Sequence, residues 1–287
     1  MREAVCAWRP RPVRMKLQEV LTPSFRTLGR ELGLKVEVFE DRLVIMAPMW
    51  RKALSTESRF CKAVVASGYL TEAQMLRAAR RYRLGSTRQG GVIFWQMDAE
   101  GAVCDGKVMY YRENCHRDHQ QHPTWVSSLL ARRYRWADAE RMTTRHCLFG
   151  LHLLGHTDCF KGHPVCVVES EKTAVILSEH FPGYVWIATG GLGNVQADKF
   201  RPLRGRRVIL FPDTDAEGTA FKRWYAAAQE VMHQPFWEGC PPITVSPLLE
   251  LHATAKQKQD KIDLVDFLFA QGMEPPNGMF EASKQVV

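Results

Sequence analysis

An apolar run that ends in two closely spaced aspartates constrains the fold of this chain most strongly. Val208 to Phe211 form the run, Pro212 ends it, and Asp213 and Asp215 precede a helical pattern of apolar residues. This order predicts a strand, an acidic turn and a helix. Side chains two positions apart in an extended segment project to the same side, here at the strand end where open α/β sheets bind ligands. Oxygen ligands held this close favour Mg²⁺ or Mn²⁺ over zinc.

A second acidic strand end comes earlier in the chain. Val165 to Val168 is typical of a buried strand, and Glu169 follows it directly. If the two strands are neighbours, Glu169 meets Asp213 and Asp215 at one edge, where their repulsion requires a cation or basic neighbours. Each residue also has a structural interpretation: Asp215 as a helix cap, Asp213 as a turn residue and Glu169 as a first-turn residue.

The alternation of strands and helices over residues 161–271 predicts an α/β unit with a parallel sheet flanked by helices. Residues 55–160 predict a smaller, basic α+β subdomain with helices up to Leu84 followed by an antiparallel meander. Residues 1–54 show little pattern beyond a helix near 17–32 and a strand near 34–46, and residues 272–287 predict a loose tail.

Local signals place the turns and caps of the smaller subdomain. Thr71 and Gln74 have capping-box spacing, and Gly85 stands where the C-cap of that helix is expected. In the meander, turns are predicted at Asp98 to Gly101 and at Gly106.

The charge balance favours a polyanionic partner. Lysine and arginine exceed aspartate and glutamate by 8, which makes nucleic acid the first partner to consider and a solvated basic surface the alternative. Between Trp125 and Arg145, interleaved arginines and aromatics suit backbone contact with base stacking, or an ordinary charged helix face. These residues are Trp125, Arg132, Arg133, Tyr134, Arg135, Trp136, Arg141 and Arg145.

The remaining composition predicts a reduced cytoplasmic protein without a membrane segment. The chain opens with an Arg/Pro-rich stretch that lacks the apolar core of a secretion signal, and it contains no run of membrane-spanning length. Its eight cysteines include no Cys-x-x-Cys pair. Zinc is not expected, because the spacing fits no standard finger. The Cys and His residues considered for zinc are Cys115, His116, His119, His122, His146, Cys147, His152 and His156.

Three motifs together resemble the Toprim domain shared by bacterial-type primases, topoisomerases and some nucleases. They are Val167 to Ala174 (VVESEKTA), Ala188 to Gly191 (ATGG) and Phe211 to Gly218 (FPDTDAEG). Upstream, Tyr82 to Gly85, Gly91 to Phe94, Asp98 to Gly101, Gly106 with Lys107, and Leu148 to Leu151 follow the order seen in bacterial replicative primase cores and their plasmid or mobile-element relatives. The resemblance covers residues 55–270.

This resemblance implies roles for individual residues. It makes Glu169 the acidic residue of the first motif and Asp213 and Asp215 the metal-binding pair. Lys261 to Asp266 resembles the late acidic motif, so Asp263 is a candidate outer-shell ligand, with a helix N-cap as the alternative. Lys107 falls near the basic residues that face template and nucleotide in primases.

The sequence departs from the primase pattern at two positions within the motifs and in the regions before and after them. Ser170 replaces a glycine and Thr173 replaces an aspartate, which removes one acidic group. No cysteine cluster precedes residue 55, so the template-gripping zinc ribbon of primases is not expected, nor is a long helicase-docking region at the end of the chain. A shortened or partner-dependent form is the expectation.

The leading functional hypothesis is DNA primase-like nucleotidyl transfer, in which Mg²⁺ supports template-directed synthesis of RNA primers on single-stranded DNA during replication. The expected partners are single-stranded DNA, nucleotides and, for a replication role, a helicase. Lys172, Arg206 and Arg207 are candidates for phosphate pairing. Gly190, Gly191 and Gly193 form a loop whose N–H groups could face a phosphate.

There are four alternatives to this hypothesis. A Toprim nuclease would use the same ions to activate water, and a non-catalytic module would bind nucleic acid in a salt-dependent way. An Asp-x-Asp phosphatase is disfavoured because its aspartate pair should open the domain. A topoisomerase is disfavoured because the chain is too short for a further domain with a nucleophilic tyrosine.

Overall fold

The computed structural model describes residues 35–39, 42–46, 55–129, 146–155, 162–276 and 279–280. The predicted helix near 17–32, the arginines from Arg132 to Arg145 and His156 lie outside these ranges. Among the helices of the described ranges, none combines the length and hydrophobicity required to cross a bilayer.

The described chain contains two four-stranded sheets and a hairpin, with helices around them. The strands are β1 (Lys35–Phe39), β2 (Arg42–Met46), β3 (Gly85–Ser86), β4 (Val92–Met97), β5 (Val103–Met109), β6 (Thr124–Trp125), β7 (Val165–Val168), β8 (Val185–Ala188), β9 (Val208–Phe211) and β10 (Thr244–Val245). The α-helices are α1 (Arg59–Ala66), α2 (Glu72–Tyr82), α3 (Glu171–His180), α4 (Ala197–Phe200), α5 (Thr219–Met232), α6 (Leu248–His252), α7 (Ala255–Gln259) and α8 (Leu264–Phe269). The strand predicted near 34–46 is the antiparallel β1–β2 hairpin.

Helix α2 begins as predicted but ends differently. The side chain of Thr71 accepts the Gln74 N–H and the Gln74 side chain accepts the Thr71 N–H, which confirms the capping box. Arg83, with φ of 53°, is the left-handed C-cap in place of Gly85. Gly85 instead begins β3, where a Cβ would stand 3.0 Å from Nε1 of Trp95. The glycine is therefore needed for strand packing.

The antiparallel sheet has the order β3-β4-β5-β6. The turn predicted at Gly106 is wrong, because β5 runs unbroken through that residue. A Cβ at Gly106 would lie 2.8 Å from Cε3 of Trp95, so this glycine makes room for the indole ring on the facing strand. The turn at Asp98 to Gly101 is confirmed by the Gly101 N–H to Asp98 carbonyl hydrogen bond of 3.0 Å.

The C-terminal unit is a parallel sheet with the order β10-β9-β7-β8, flanked by helices, as expected for the α/β class. Strands β7, β8 and β9 are buried along their whole length, which explains their continuous runs of apolar residues. Val168 at the end of β7 stands opposite Phe211 at the end of β9. Both strands therefore end at the same edge.

The two units share one core. The Tyr82 hydroxyl, at the end of α2, donates to the Trp186 carbonyl at 2.8 Å and to the Ala174 carbonyl at 3.2 Å. Arg77 and Arg81 pair with Glu179 of α3, each with an N–O separation of 2.8 Å. These contacts fix α2 relative to the parallel sheet and α3.

Part of the predicted tail contacts the sheet unit. The ring of Phe280 lies 4.0 Å from that of Tyr184, and the guanidinium of Arg207 donates to the Phe280 carbonyl. Met279 is buried. These contacts differ from the loose tail expected from the sequence.

Candidate active site at the carboxylate edge

Glu169 and Asp213 follow two neighbouring parallel strands. The pairing of β7 with β9 confirms the prediction that their strands are adjacent. Glu169 is the first residue after β7, and Asp213 is the second after β9. Both side chains are half-buried. We call the ends of β7 and β9, with Glu169 and Asp213, the carboxylate edge.

The carboxylate edge carries uncompensated negative charge. Burial and the neighbouring carboxylates of Asp263 and Glu169 raise the pKa of Asp213 well above its ordinary value. Burial also raises the pKa of Glu169, although the Leu192 N–H and the charge of Lys107 act in the opposite direction. In the described ranges, neither Glu169 nor Asp213 forms an ion pair with a basic side chain. This edge would therefore gain stability from a bound cation.

Asp215 has a different environment from Asp213. Its carboxylate accepts hydrogen bonds from the N–H groups of Glu217, Thr219 and Ala220 at 3.0, 3.0 and 2.7 Å. Burial acts to raise the pKa of Asp215, but these three N–H groups outweigh it and lower the pKa. The helix-cap interpretation of Asp215 is confirmed, and the cap orients the start of α5.

We expect Asp215→Ala to lower the free energy of unfolding by about 1 kcal/mol, the usual cost of a lost N-terminal cap. Because folding lowers this pKa, the stabilisation is fully present above about pH 5 and is lost as the pH falls through the folded pKa. Urea unfolding at pH 7 and at acidic pH measures the effect. Asp215→Asn, which keeps a capping oxygen, is the control, and equal stability of the alanine variant at pH 7 would contradict the assignment.

A buried ion-pair network lies beside the carboxylate edge. Lys172 Nζ is 3.1 Å from Asp263 Oδ2 and 3.1 Å from Asp266 Oδ1. Thr173 donates its hydroxyl to Asp263 at 2.7 Å, and Tyr69 donates its hydroxyl to Asp266 at 2.9 Å. Lys172 thus contacts carboxylates, not the open edge where phosphate pairing was expected.

The sequence left two roles open for Asp263: the N-cap of a helix, or an outer-shell ligand near the acidic edge. It is the N-cap of α8, because its side chain accepts the Asp266 N–H, and this confirms the capping interpretation. It is also close enough to the carboxylate edge to raise the pKa of Asp213. An outer-shell role toward a metal remains a proposal.

Lys107 connects β5 to the start of α3 and to the loop after β8, beside the carboxylate edge. Its Nζ donates to Glu171 Oε1 at 3.0 Å and to the Gly190 carbonyl at 2.9 Å. Gly190 has a φ of 75°, and a Cβ there would stand 2.9 Å from Glu171 Oε1. The position therefore requires glycine, and the loop after β8 is fixed against α3. Gly191 follows, with its N–H bonded to the hydroxyl of Thr189 at 3.4 Å.

Arg206 and Arg207 lie away from the carboxylate edge. They precede β9, whereas Asp213 follows it, and a four-residue strand separates its two ends by about 13 Å. Arg206 donates to the Leu154 carbonyl at 3.3 Å, and Arg207 donates to the Phe280 carbonyl. The expectation that these arginines bind phosphate at this site is therefore not supported by their positions.

The Cys and His residues considered for zinc are dispersed. Burial raises the pKa of the Cys115 thiol to about 12, which disfavours the thiolate that zinc binds. His116, His119 and His122 are exposed. In the part of the chain that the structure describes, no group of three or more His, Cys, Asp or Glu side chains is arranged to hold a metal ion.

Three members of the site were not singled out from the sequence. Glu171 accepts from Lys107, Asp266 accepts from Lys172, and Tyr69 reaches Asp266 from the other unit. The three-residue spacing of Asp263 and Asp266 at a helix start was a usable signal, since such residues share one helix face. Nothing in the local pattern indicated Tyr69, which is 197 residues from its partner.

The donors of the carboxylate edge fit a magnesium ion. Mg²⁺ keeps several waters and is commonly bound through one or two carboxylates plus substrate phosphates. Glu169 and Asp213 supply two such carboxylates. Because their pKa values are raised, a cation bound between the strand ends would stabilise their ionised forms. The fit rests on these oxygen donors and on their charge.

Fold and site together define a mixed α/β protein with a parallel sheet and an acidic edge at the ends of two central strands. The family model described as a domain of unknown function, DUF6371, matches residues 59–214. The match covers more than half of the chain, and the chain belongs to this family. A search of curated proteins finds no match.

Primase fragments are among the solved structures to which this chain is similar. The DnaG catalytic core is 14% identical, with 78% of this chain and 81% of that chain covered and a TM-score of 0.45. A DnaG primase catalytic domain bound to single-stranded DNA is 17% identical, with 88% and 79% covered and a TM-score of 0.38. The primase fragment of the bacteriophage T7 primase-helicase is 14% identical, with 65% and 70% covered and a TM-score of 0.37. Because these sequence identities and TM-scores are low, the function has to be argued from the residues of the site.

Proposed function

We propose that this protein catalyses metal-dependent phosphoryl transfer on nucleic acid, and that the reaction is template-directed primer synthesis on single-stranded DNA. The observation that carries the proposal is the meeting of Glu169 and Asp213 at the ends of adjacent parallel strands, with both pKa values raised. The motif resemblance to Toprim primases and the net charge of +8 support a nucleic-acid substrate.

Mg²⁺, or Mn²⁺, would be held by Glu169 and Asp213, with Asp215 within the same turn. When bound, the ion would lower the pKa of an attacking hydroxyl and stabilise charge on the leaving pyrophosphate. The protein's own contribution is to hold the two carboxylates in place through β7 and β9. The α5 cap at Asp215 holds the connecting turn.

Lys107 and Lys172 contribute by fixing the surroundings of the edge. Lys107 reaches from β5 to Glu171 and the loop at Gly190, so it positions the antiparallel sheet against the carboxylates. Lys172 is only 8% exposed and forms ion pairs with both Asp263 and Asp266. We assign both lysines to positioning, with Lys107 close enough to the edge to meet a nucleotide phosphate.

Trp125 and His146 form a second feature suited to nucleic acid. Their rings stack at 3.8 Å, and His146 Nε2 lies 3.2 Å from the buried Asp105 carboxylate. Trp125 stands opposite Lys107 in the sheet register. A partly exposed aromatic pair beside a lysine suits base stacking and backbone contact. Trp125 belongs to the same antiparallel sheet as Lys107.

A Toprim nuclease is the second candidate, and one observation favours it. Thr173 stands where primases carry an acidic residue, and its hydroxyl is bound to Asp263 at 2.7 Å. The edge therefore has one carboxylate fewer than the primase pattern. In hydrolysis the nucleophile would be water and the leaving group a sugar oxygen of the phosphodiester, in place of the 3′-hydroxyl and the pyrophosphate of primer synthesis.

The test compares wild type with Glu169→Gln on single-stranded DNA, with Mg²⁺ or Mn²⁺ and with or without labelled nucleotides. Primer products that require nucleotides, metal and Glu169 support primer synthesis. Cleavage that needs the metal and Glu169 but no nucleotides supports the nuclease. Glu230→Gln, the same change at an exposed position of α5, is the control. Salt-dependent DNA binding without either product would refute catalysis.

A further inference from the structure

Five carboxylates and two lysines define the charge around the carboxylate edge. Glu171 is compensated by Lys107, with a separation of 3.0 Å. Asp263 and Asp266 share Lys172. Of these five carboxylates, Glu169 and Asp213 are the two without a basic partner in the described ranges, and the nearby Asp215 is held by three backbone N–H groups. When Glu169 and Asp213 are both ionised, their joint charge of minus two is balanced by a single divalent cation.

Lys172 is held as a permanent member of the site. Its side chain and that of Asp263 are each 8% exposed, so the ammonium cannot swing to solvent without breaking two ion pairs. Both aspartates accept further hydrogen bonds: Asp263 accepts from Thr173 and from the Asp266 N–H, and Asp266 accepts from Tyr69. A second divalent ion that contacts the two oxygens paired with Lys172 would have to displace the ammonium.

We propose that this protein binds one divalent metal ion, and that the Lys172 ammonium takes the place of a second cation beside it. The inference rests on the proposed function, because it assumes that Glu169 and Asp213 hold the first ion. An ammonium between two carboxylates supplies fixed positive charge that does not depend on metal concentration. Lys172 is thus a positioning residue that sets the number of ions.

Two consequences separate this arrangement from a two-ion site. The dependence of activity on metal concentration should follow a simple one-site curve. Removing the ammonium while keeping both aspartates should create room and charge for a second ion. Removing one aspartate at the same time should restore the charge balance of the wild type and return the count to one.

The experiment counts bound Mn²⁺ by electron paramagnetic resonance of free Mn²⁺ in a titration of the full chain. Wild type is expected to bind one ion, Lys172→Gln two, and Lys172→Gln with Asp266→Asn one. Lys62→Gln, the same change at an exposed residue, is the matched control and should bind one. Thermal melts with and without Mn²⁺ establish which variants are folded.

Each outcome is decisive. Two ions on wild type, or one on folded Lys172→Gln, would overturn the role of Lys172 and leave the proposed function standing. No ion on wild type would refute the metal site itself, and the proposed function with it. If Lys172→Gln does not fold, the wild-type and double-variant counts decide: one ion on each supports the inference, and two on either overturns it.

Discussion

Asp213→Asn is expected to reduce metal-dependent primer synthesis about a thousandfold, since removing a carboxylate ligand costs roughly 4 kcal/mol of charge stabilisation in the transition state. The amide keeps the size of the side chain but supplies no negative charge. Initial rates of labelled-nucleotide incorporation at saturating DNA measure the loss.

The same variant is expected to be more stable than wild type without metal. Folding raises the pKa of Asp213, so the ionised carboxylate destabilises the folded protein above the unfolded pKa, and the effect disappears in acid as the group protonates. We therefore expect a higher Tm for Asp213→Asn in EDTA at pH 7. Added Mg²⁺ should raise the Tm of wild type and change that of the variant little.

Asp198→Asn, the same change at an exposed residue of α4, is the control and should leave both properties unaltered. Primer synthesis by Asp213→Asn within tenfold of wild type would contradict the role assigned to this carboxylate. A lower Tm in EDTA would contradict the charge repulsion inferred at the carboxylate edge.

Lys172→Met is expected to lower the free energy of unfolding by about 3–5 kcal/mol, the usual cost of removing one partner from a buried ion pair. The loss leaves Asp263 and Asp266 facing each other without a cation. For a protein of this size the change corresponds to a fall in Tm of about 10 °C. Urea unfolding in EDTA at pH 7 measures it.

A control variant and a double variant test this second prediction further. Lys62→Met, at an exposed position, should change stability by no more than about 0.5 kcal/mol. Lys172→Met combined with Asp266→Asn should recover part of the loss, because the change removes one of the two unpaired charges. A single variant as stable as wild type would show that Lys172 is not the cation of this network.

The sequence contained enough information to predict the carboxylate edge, because each of its parts is local. Each strand run, its acidic residue and the following helix lie within about fifteen residues, and parallel strands end at a common edge. The adjacency of β7 and β9, between which β8 lies in the chain, was an assumption that no local pattern supplied. That assumption is confirmed.

Long-range contacts were beyond the reach of the sequence pattern. Lys172 looked like a phosphate ligand because its partners, Asp263 and Asp266, are more than ninety residues away. Gly106 looked like a turn residue because its function is to admit Trp95 from the facing strand. In both cases the deciding contact is tertiary, and local propensity says nothing about it.

The most direct test of the central claim, that Glu169 and Asp213 share one divalent ion, is the anomalous scattering of Mn²⁺ in soaked crystals. We expect one strong peak in contact with carboxylate oxygens of both residues, and its loss in Asp213→Asn. A peak elsewhere, or side chains of Glu169 and Asp213 turned apart with no ion between them, would contradict the claim.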